Sequence, residues 1–375
     1  PKRNLVITAD AASIKYMGVH YHNFYLNGYT SNNQLFLTSG ASKIAFKEDK
    51  NADTTSLGID SVRFLATVAG DSIRYRIKWN DLSKISHNKG DIYGFAEFRS
   101  LSRINLGITH GLVMLKDSIW TINPNNSITI DSTNIAIENL GFSGRHERLL
   151  LQGSISNDPN KKLNIYFQQV DISGLDKLIN VYGVNIDGVA DGSVSLMNLY
   201  HSPNLTSNLK ILGLKYNKVK LGDATIKSSW NDDAKALLVD LHVVDVSNPA
   251  NTEPLSVTGT YYPYAETDNF NFNIELKDLQ LQTINPFLDS FMSGLNGLAS
   301  GSIQFLGATN YPYLKGVVNC RKTSFKVDYL NTRYKFDDKV TFDKDLLTFE
   351  NFTFKDTLDH TGVVNGVIRN KAFNK

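Results

Sequence analysis

The sequence predicts a mainly β protein: an elongated repeat β-structure, a groove-like folded sheet accompanied by short amphipathic helices. Three observations predict it. Apolar and polar residues alternate strictly through Ile73-Arg74-Tyr75-Arg76-Ile77-Lys78-Trp79 and again through Phe270-Asn271-Phe272-Asn273-Ile274-Glu275-Leu276-Lys277, which is how a strand looks when one face meets oil and the other water. The segment Val170 to Leu205 recurs from Leu279 to Leu314 without insertion. Each copy opens with an apolar stripe at helical spacing.

The repeat orders the rest of the chain. Leu175, Leu178, Ile179 and Tyr182 match Ile284, Phe287, Leu288 and Phe291; Gly188 and Gly192 match Gly297 and Gly301; Pro203 and Leu205 match Pro312 and Leu314, all 109 positions apart (284 − 175, 301 − 192, 312 − 203). Apolar residues at i, i+3, i+4 and i+7 predict one short helix per copy. In the second copy Asn285 is placed to cap it, Pro286 suits its first position and Gly294 its left-handed end; Ser173 and Gly183 do this in the first. The Gly-x-x-x-Gly that follows, ahead of Val194 and Leu196 or Ile303 and Phe305, reads as a turn into a strand.

Four stretches result. Residues 1–80 are N-terminal strands: Phe24 and Leu26, Leu35 and Leu37, Ile44 and Phe46, then Ile73 to Trp79, with Lys47 to Thr55 as a solvated loop. Residues 81–169 form a degenerate unit, with Asp81 to Ile85 as a helix remnant and Gly90 and Gly94 as its glycine pair. Here Ile137-Glu138-Asn139 through Gly153 parallels Phe349-Glu350-Asn351 through Gly366, and the offset grows by one residue, from 212 (349 − 137) to 213 (366 − 153), as a bulge in one copy would cause. Residues 170–278 and 279–375 are the two clear units. With no Pro- or Ser-rich linker between them, the units are expected to share one core.

Net charge of +2 over 375 residues supplies no field for nucleic acid. The single cysteine, Cys320, excludes an internal disulfide and a thiolate metal cluster, and reads as a small strand residue. No apolar run approaches the roughly 20 residues of a membrane helix. The chain begins at Pro1, shows no signal peptide and reaches alternating Asn4-Leu5-Val6-Ile7 at once, so it reads as a piece of a longer polypeptide whose anchor lies elsewhere.

Catalysis needs groups that activate one another. The sequence holds no G-x-S-x-G elbow, H-E-x-x-H, phosphate loop or calcium loop, so the reading is not an enzyme, with no catalytic residue, metal or cofactor. His20 and His22 share a face of a predicted strand, but a third ligand is missing from the vicinity, and partly exposed histidines are the plainer reading. Asp337-Asp338 and Asp343-x-Asp345 read as solvated turns. Tyr75-Arg76 and Tyr334-Lys335 are ordinary strand aromatics beside basic residues.

What remains is a large amount of one-sided apolar strand. Its candidate lining is Ile73, Tyr75, Ile77, Trp79, Phe270, Phe272, Ile274, Leu276, Phe325 and Val327, with Arg76, Asn271, Asn273 and Lys326 on the opposite face. A trough meets this pattern, and a filled β-sandwich or β-helix core meets it equally.

The C-terminal third resembles the TamB family, the inner-membrane-anchored subunit of the bacterial translocation and assembly module within the AsmA-like group. The residues are Gly297-Leu298-Ala299-Ser300-Gly301, Pro312-Tyr313-Leu314-Lys315-Gly316, Phe325 to Tyr334, and Phe349-Glu350-Asn351 with Gly362 and Gly366. They span about Leu279 to Phe373, and the Asn-, Tyr- and Lys-rich flavour is similar to Bacteroidota versions. The resemblance implies a periplasmic β-taco with a hydrophobic groove that carries phospholipid acyl chains between inner and outer membranes. It further implies attachment to the inner membrane through an anchor outside this chain, and an Omp85-type outer-membrane barrel as partner. The alternative function is a structural or chaperone-like module that offers strand edges to outer-membrane proteins during insertion. A membrane barrel fits the alternation but not the interspersed helices and charged turns.

Overall fold

The computed structural model describes residues 4–16, 19–45, 58–80, 88–100, 102–115, 118–158, 160–175, 185–200, 204–247, 252–287 and 292–369. Among them the protein is almost all strand, and neighbouring strands are antiparallel. The chain clusters into two compact units: unit 1 is Pro1–Val170 with Ser195–Pro203, and unit 2 is Asp171–Val194 with Asn204–Lys375.

Unit 1 is a meander: β1 (Val6–Tyr16), β2 (Val19–Ser31), β3 (Gln34–Ala45), β4 (Gly58–Ala69), β5 (Ser72–Asn80), β6 (Asn88–Ser100), β7 (Arg103–Leu115), β8 (Ser118–Ile122), β9 (Ser127–Ile130), β10 (Asn134–Ser143), β11 (Arg148–Ser156) and β12 (Lys162–Asp171). Strands β8 and β9 lie against the same partners, β7 and β10. At the break Asn126 stands in for a backbone: the Ile108 amide donates to its Oδ1 at 2.9 Å, and its Nδ2 donates to the Ile108 carbonyl at 2.8 Å. A buried side-chain amide thereby satisfies two ladder groups that an interrupted strand would strand.

The remaining strands are β13 (Ile186–Met197), β14 (Asn204–Tyr216), β15 (Val219–Asn231), β16 (Ala236–Val244), β17 (Leu255–Tyr261), β18 (Phe270–Gln280), β19 (Met292–Ala308), β20 (Tyr311–Val327), β21 (Thr332–Lys344), β22 (Leu346–Lys355) and β23 (Thr361–Arg369). The core of unit 2 gathers Leu276, Leu281, Leu295, Ala299, Ile303, Val318 and Cys320, with Ile274, Phe325, Phe336 and Phe342 packed against them.

Strands β14, β18, β20 and β22 each set two residues against one of the strand that follows, at Ile211/Leu214, Leu276/Leu279, Cys320/Thr323 and Phe349/Phe352; in β14 an opposite slip follows at once, at Leu214/Lys215. Each two-against-one site holds a residue of positive φ: Gly213 (+60°), Asp278 (+58°), Lys322 (+49°) and Asn351 (+48°). These are bulges, and a bulge bends its strand and increases local twist.

The repeat is written in the backbone. Positive φ recurs 109 positions apart at Gln169 and Asp278, Gly188 and Gly297, Gly192 and Gly301, Asn198 and Gly307, and Gly213 and Lys322 (278 − 169, 297 − 188, 301 − 192, 307 − 198, 322 − 213). The paired glycines are not the entry to a strand, as their spacing predicts; they lie inside β13 and β19. A Cβ on Gly192 would stand 2.1 Å from the Asn208 carbonyl, and one on Gly301 would stand 2.2 Å from that of Val317. Glycine is needed there for close backbone approach at positive φ.

Other expectations are corrected. No α-helix occurs among the described residues; instead 3-10 segments span Ile172–Leu175 and Leu281–Phe287, again 109 apart at their starts (281 − 172). Residues 176–182 and 288–291, which complete the two predicted helices, lie outside the described residues, as do 81–85 and 47–55. Asn285 does not cap a helix: its amide pairs with the backbone of Leu295, accepting the N–H at 3.0 Å and donating to the carbonyl at 3.2 Å. Gly294 does adopt the left-handed conformation (+59°), but within β19. The one-residue offset between the segments at Ile137 and Phe349 is not a bulge in one copy, because both carry the same bulge, at Asn139 and Asn351. The extra residue is in the turn, since Ser143 pairs with Arg148 whereas Lys355 pairs with Thr361. Gly90 and Gly94 sit in β6 beneath aromatic rings of β5, a different use of glycine from that of the pair at 297 and 301. Asp337, Asp338 and Asp343 are in strand β21 rather than turns, and Asp337 accepts the bulge amide of Lys322.

Candidate functional site

Strand alternation sorts unit 2 into two faces, and register converts the inner one into rows. Following the ladder sideways from β14 to β21 gives Ile211, Ala224, Val243, Leu255, Leu276, Gly301, Val318 and Val340. This row adjoins the bulges, and Ile211, Ala224, Val243, Leu276 and Val318 are buried. The next row outward is Leu209, Ile226, Leu241, Val257, Ile274, Ile303, Gly316 and Phe342; all are half-buried apart from Ile303, which is buried. Beyond it come Val239, Gly259, Phe272, Phe305 and Leu314, half-buried, ending at Ser207 and Ser228, whose hydroxyls bond each other at 2.9 Å.

The face is therefore apolar from its deepest row outward, and its exposure rises toward an aromatic margin. There Phe270 packs against Tyr261 (centroids 5.4 Å), Phe305 (4.9 Å) and Phe272 (6.5 Å). Ring pairs at these separations contribute about 0.5–1.5 kcal/mol each beyond area burial. The rings of this margin are half-buried, whereas Ile211, Ala224, Val243, Leu276 and Val318 of the deepest row are buried.

Each candidate residue can be placed. Phe270, Phe272, Ile274 and Leu276 lie on this face of β18, while Asn271, Asn273, Glu275 and Lys277 are exposed on the other. Phe325 and Val327 lie beyond the bulge of β20; Phe325 meets Tyr334 at 6.0 Å and Phe336 at 5.9 Å, and Phe336 in turn meets Phe352 at 4.8 Å. The 3-10 segment supplies Leu281 to the core beside Leu276 and Leu295. In unit 1, Ile73, Tyr75, Ile77 and Trp79 are half-buried on one face of β5, Tyr75 stacking on Phe64 at 6.3 Å. Burial raises the Tyr75 phenol above its ordinary range.

The opposite faces carry local charge pairs. Arg76 donates to both oxygens of Asp91, at 2.8 and 2.7 Å, lies 4.4 Å from the Tyr93 ring centroid, and holds the Asp91 carboxyl below the usual range. In unit 2 His242 bridges Glu253 and Asp240, and those bonds, Glu253 first, raise its pKa. Burial pushes the Cys320 thiol up to about 11, so it is protonated at neutral pH. His20 and His22 sit on β2, and no group of three His, Cys, Asp or Glu side chains able to hold a metal occurs among the described residues.

Phe305, Tyr261 and Phe336 belong to the face and were not in the predicted lining. The alternation of Ile303 and Phe305 signals a strand, but only pairing in register brings Phe305 opposite Phe272.

Among the described residues no helix is long and apolar enough to cross a membrane. Comparison with known proteins returns no match: no family model, no curated protein and no solved structure. What the geometry defines is a class, a β protein with a one-sided apolar face.

Proposed function

We propose that this chain is a TamB-like groove protein of the bacterial periplasm that holds phospholipid acyl chains on its apolar face and conveys them between inner and outer membranes, without catalysis. One observation carries the reading: the face of unit 2 is apolar across eight neighbouring strands, deepest beside the bulges and progressively open toward its aromatic margin. Transfer along such a path needs a nearly constant gain at each step. A 16-carbon chain removed from water gains on the order of 10 kcal/mol at roughly 0.8 kcal/mol per methylene. Register rows of aliphatic side chains supply that gain evenly, and a lone unpaired polar group would interrupt it. The motif resemblance of residues 279–373 adds the envelope context, with anchorage outside this chain and an Omp85-type barrel as partner.

The test is mass spectrometry of organic extracts of the purified protein. Co-purifying phospholipid is the expected result. Lipid-free protein that captures extended outer-membrane-protein segments instead would overturn it in favour of a chaperone-like role.

A further inference from the structure

The four bulges at Gly213, Asp278, Lys322 and Asn351 share a second feature. At each, two residues of the bulged strand face one residue of the next strand, and that one residue carries an oxygen that accepts the bulge amide. The Gly213 N–H donates to Asp223 Oδ1 at 2.8 Å, Asp278 N–H to Ser300 Oγ at 2.9 Å, Lys322 N–H to Asp337 Oδ1, and Asn351 N–H to Asn365 Oδ1 at 2.6 Å. Asp223, Ser300, Asp337 and Asn365 all project from the polar side, since Ala224, Gly301, Phe336 and Val364 beside them belong to the apolar side. Two caps adjoin glycines of positive φ, Gly222 (+136°) and Gly301 (+155°), where a Cβ would stand 2.2 Å from a carbonyl of the strand on the other side.

A bend in a sheet frees backbone groups, and bulges combined with glycine kinks are how sheets are curved at defined positions. Here each of the four bulge amides is satisfied from the polar side, and at the β20 crease the buried Thr323 hydroxyl donates to the Arg321 carbonyl at 3.4 Å. The most buried row of the face runs along the same line. We propose that the four capped bulges form a hinge line that holds the two flanks of this face at a set angle, so that side chains on the outer surface control how widely the face opens. The device needs no bound lipid.

Spin labels at Lys315 and Lys335, exposed outer-face positions on the two sides of the β20 bulge, report the angle in lipid-free protein once buried Cys320 is replaced by alanine. Removing caps in Asp223→Ala/Asp337→Ala is expected to abolish the narrow inter-label distance distribution. Hydrogen exchange at the Lys322 amide should quicken about tenfold, as for the loss of one hydrogen bond of usual net strength. Asp337→Asn, which keeps a side-chain oxygen, should restore both. Should the double variant fail to fold by circular dichroism, Ser300→Ala gives the same readout at Asp278. An unchanged narrow distribution in a folded cap-less variant, or broadening by Asp337→Asn equal to that by Asp337→Ala, overturns the proposal. Because the measurement is made without lipid, its failure and that of the transport reading remain distinct.

Discussion

Two segments of this chain, from Leu163 to Tyr216 and from Phe272 to Phe325, repeat positive φ at matched positions among their described residues and differ in the side chains they carry. Leu163, Ile165 and Phe167 of β12 stand where Phe272, Ile274 and Leu276 stand in β18, 109 positions on (272 − 163, 276 − 167). Even a polar pair recurs: Ser195 Oγ meets Asn164 Oδ1 at 2.6 Å, and Gln304 Nε2 meets Asn273 Oδ1 at 3.5 Å. Yet Leu163 is buried, at 6 % exposure, while Phe272 is half-open. The difference teaches that what is repeated is the set of bends and close approaches, and that burial is decided afterwards by neighbouring side chains.

The largest expected effect breaks the equivalence of these two positions. Leu163→Arg buries an unpaired charge without an exit and should destabilise unit 1 by several kcal/mol, enough to unfold it in thermal melts. Phe272→Arg sits where the guanidinium can snorkel to water, so the fold should survive, with a cost of about 1 kcal/mol, while photo-crosslinking to lipid falls. Asn273→Arg on the polar side should alter neither. Unfolding by Phe272→Arg, or undiminished lipid crosslinking in the folded variant, would return the face to a closed core.

A smaller effect sharpens the backbone equivalence. Gly192→Ala and Gly301→Ala each place a methyl within 2.2 Å of a carbonyl at positive φ, and each should cost about 2–3 kcal/mol. Comparable losses in urea-unfolding midpoints are expected for both. A neutral substitution at either position would end the argument that the pair does the same work.

The smallest effect separates the bulges. Gly213 has open space where a Cβ would go, so Gly213→Ala pays only for the left-handed conformation, about 1 kcal/mol. Lys322 already bears that strain; Lys322→Gly relieves about 1 kcal/mol and loses about 0.5 kcal/mol to chain entropy, so stability should rise by about 0.5 kcal/mol. A loss of stability on Lys322→Gly would mean that the side chain itself holds the bulge.

Much of the fold was legible without coordinates because period-2 alternation is a local property: β5 and β18 appear at Ser72–Asn80 and Phe270–Gln280 around the runs that predict them. The 109-residue register was legible because glycines tolerate no substitute where backbones touch. Over the described part of the second predicted helix, Ile284 to Phe287, the chain is a 3-10 segment instead, for a physical reason. An apolar stripe at i, i+3 and i+4 does not reveal that Asn285 will pair with the backbone of Leu295, a contact ten residues away in sequence that competes with any cap.

By itself, then, the sequence determined strand content, which residues share a face of each strand, and where the repeat falls, since each depends on neighbours in the chain. Tertiary structure alone decided that Phe305 meets Phe272, that Asp337 rather than water receives the Lys322 amide, and that burial deepens toward the bulges. Those outcomes depend on which strand lies alongside and with what slip, and hydrogen-bond register between strands is set by partners far away in sequence.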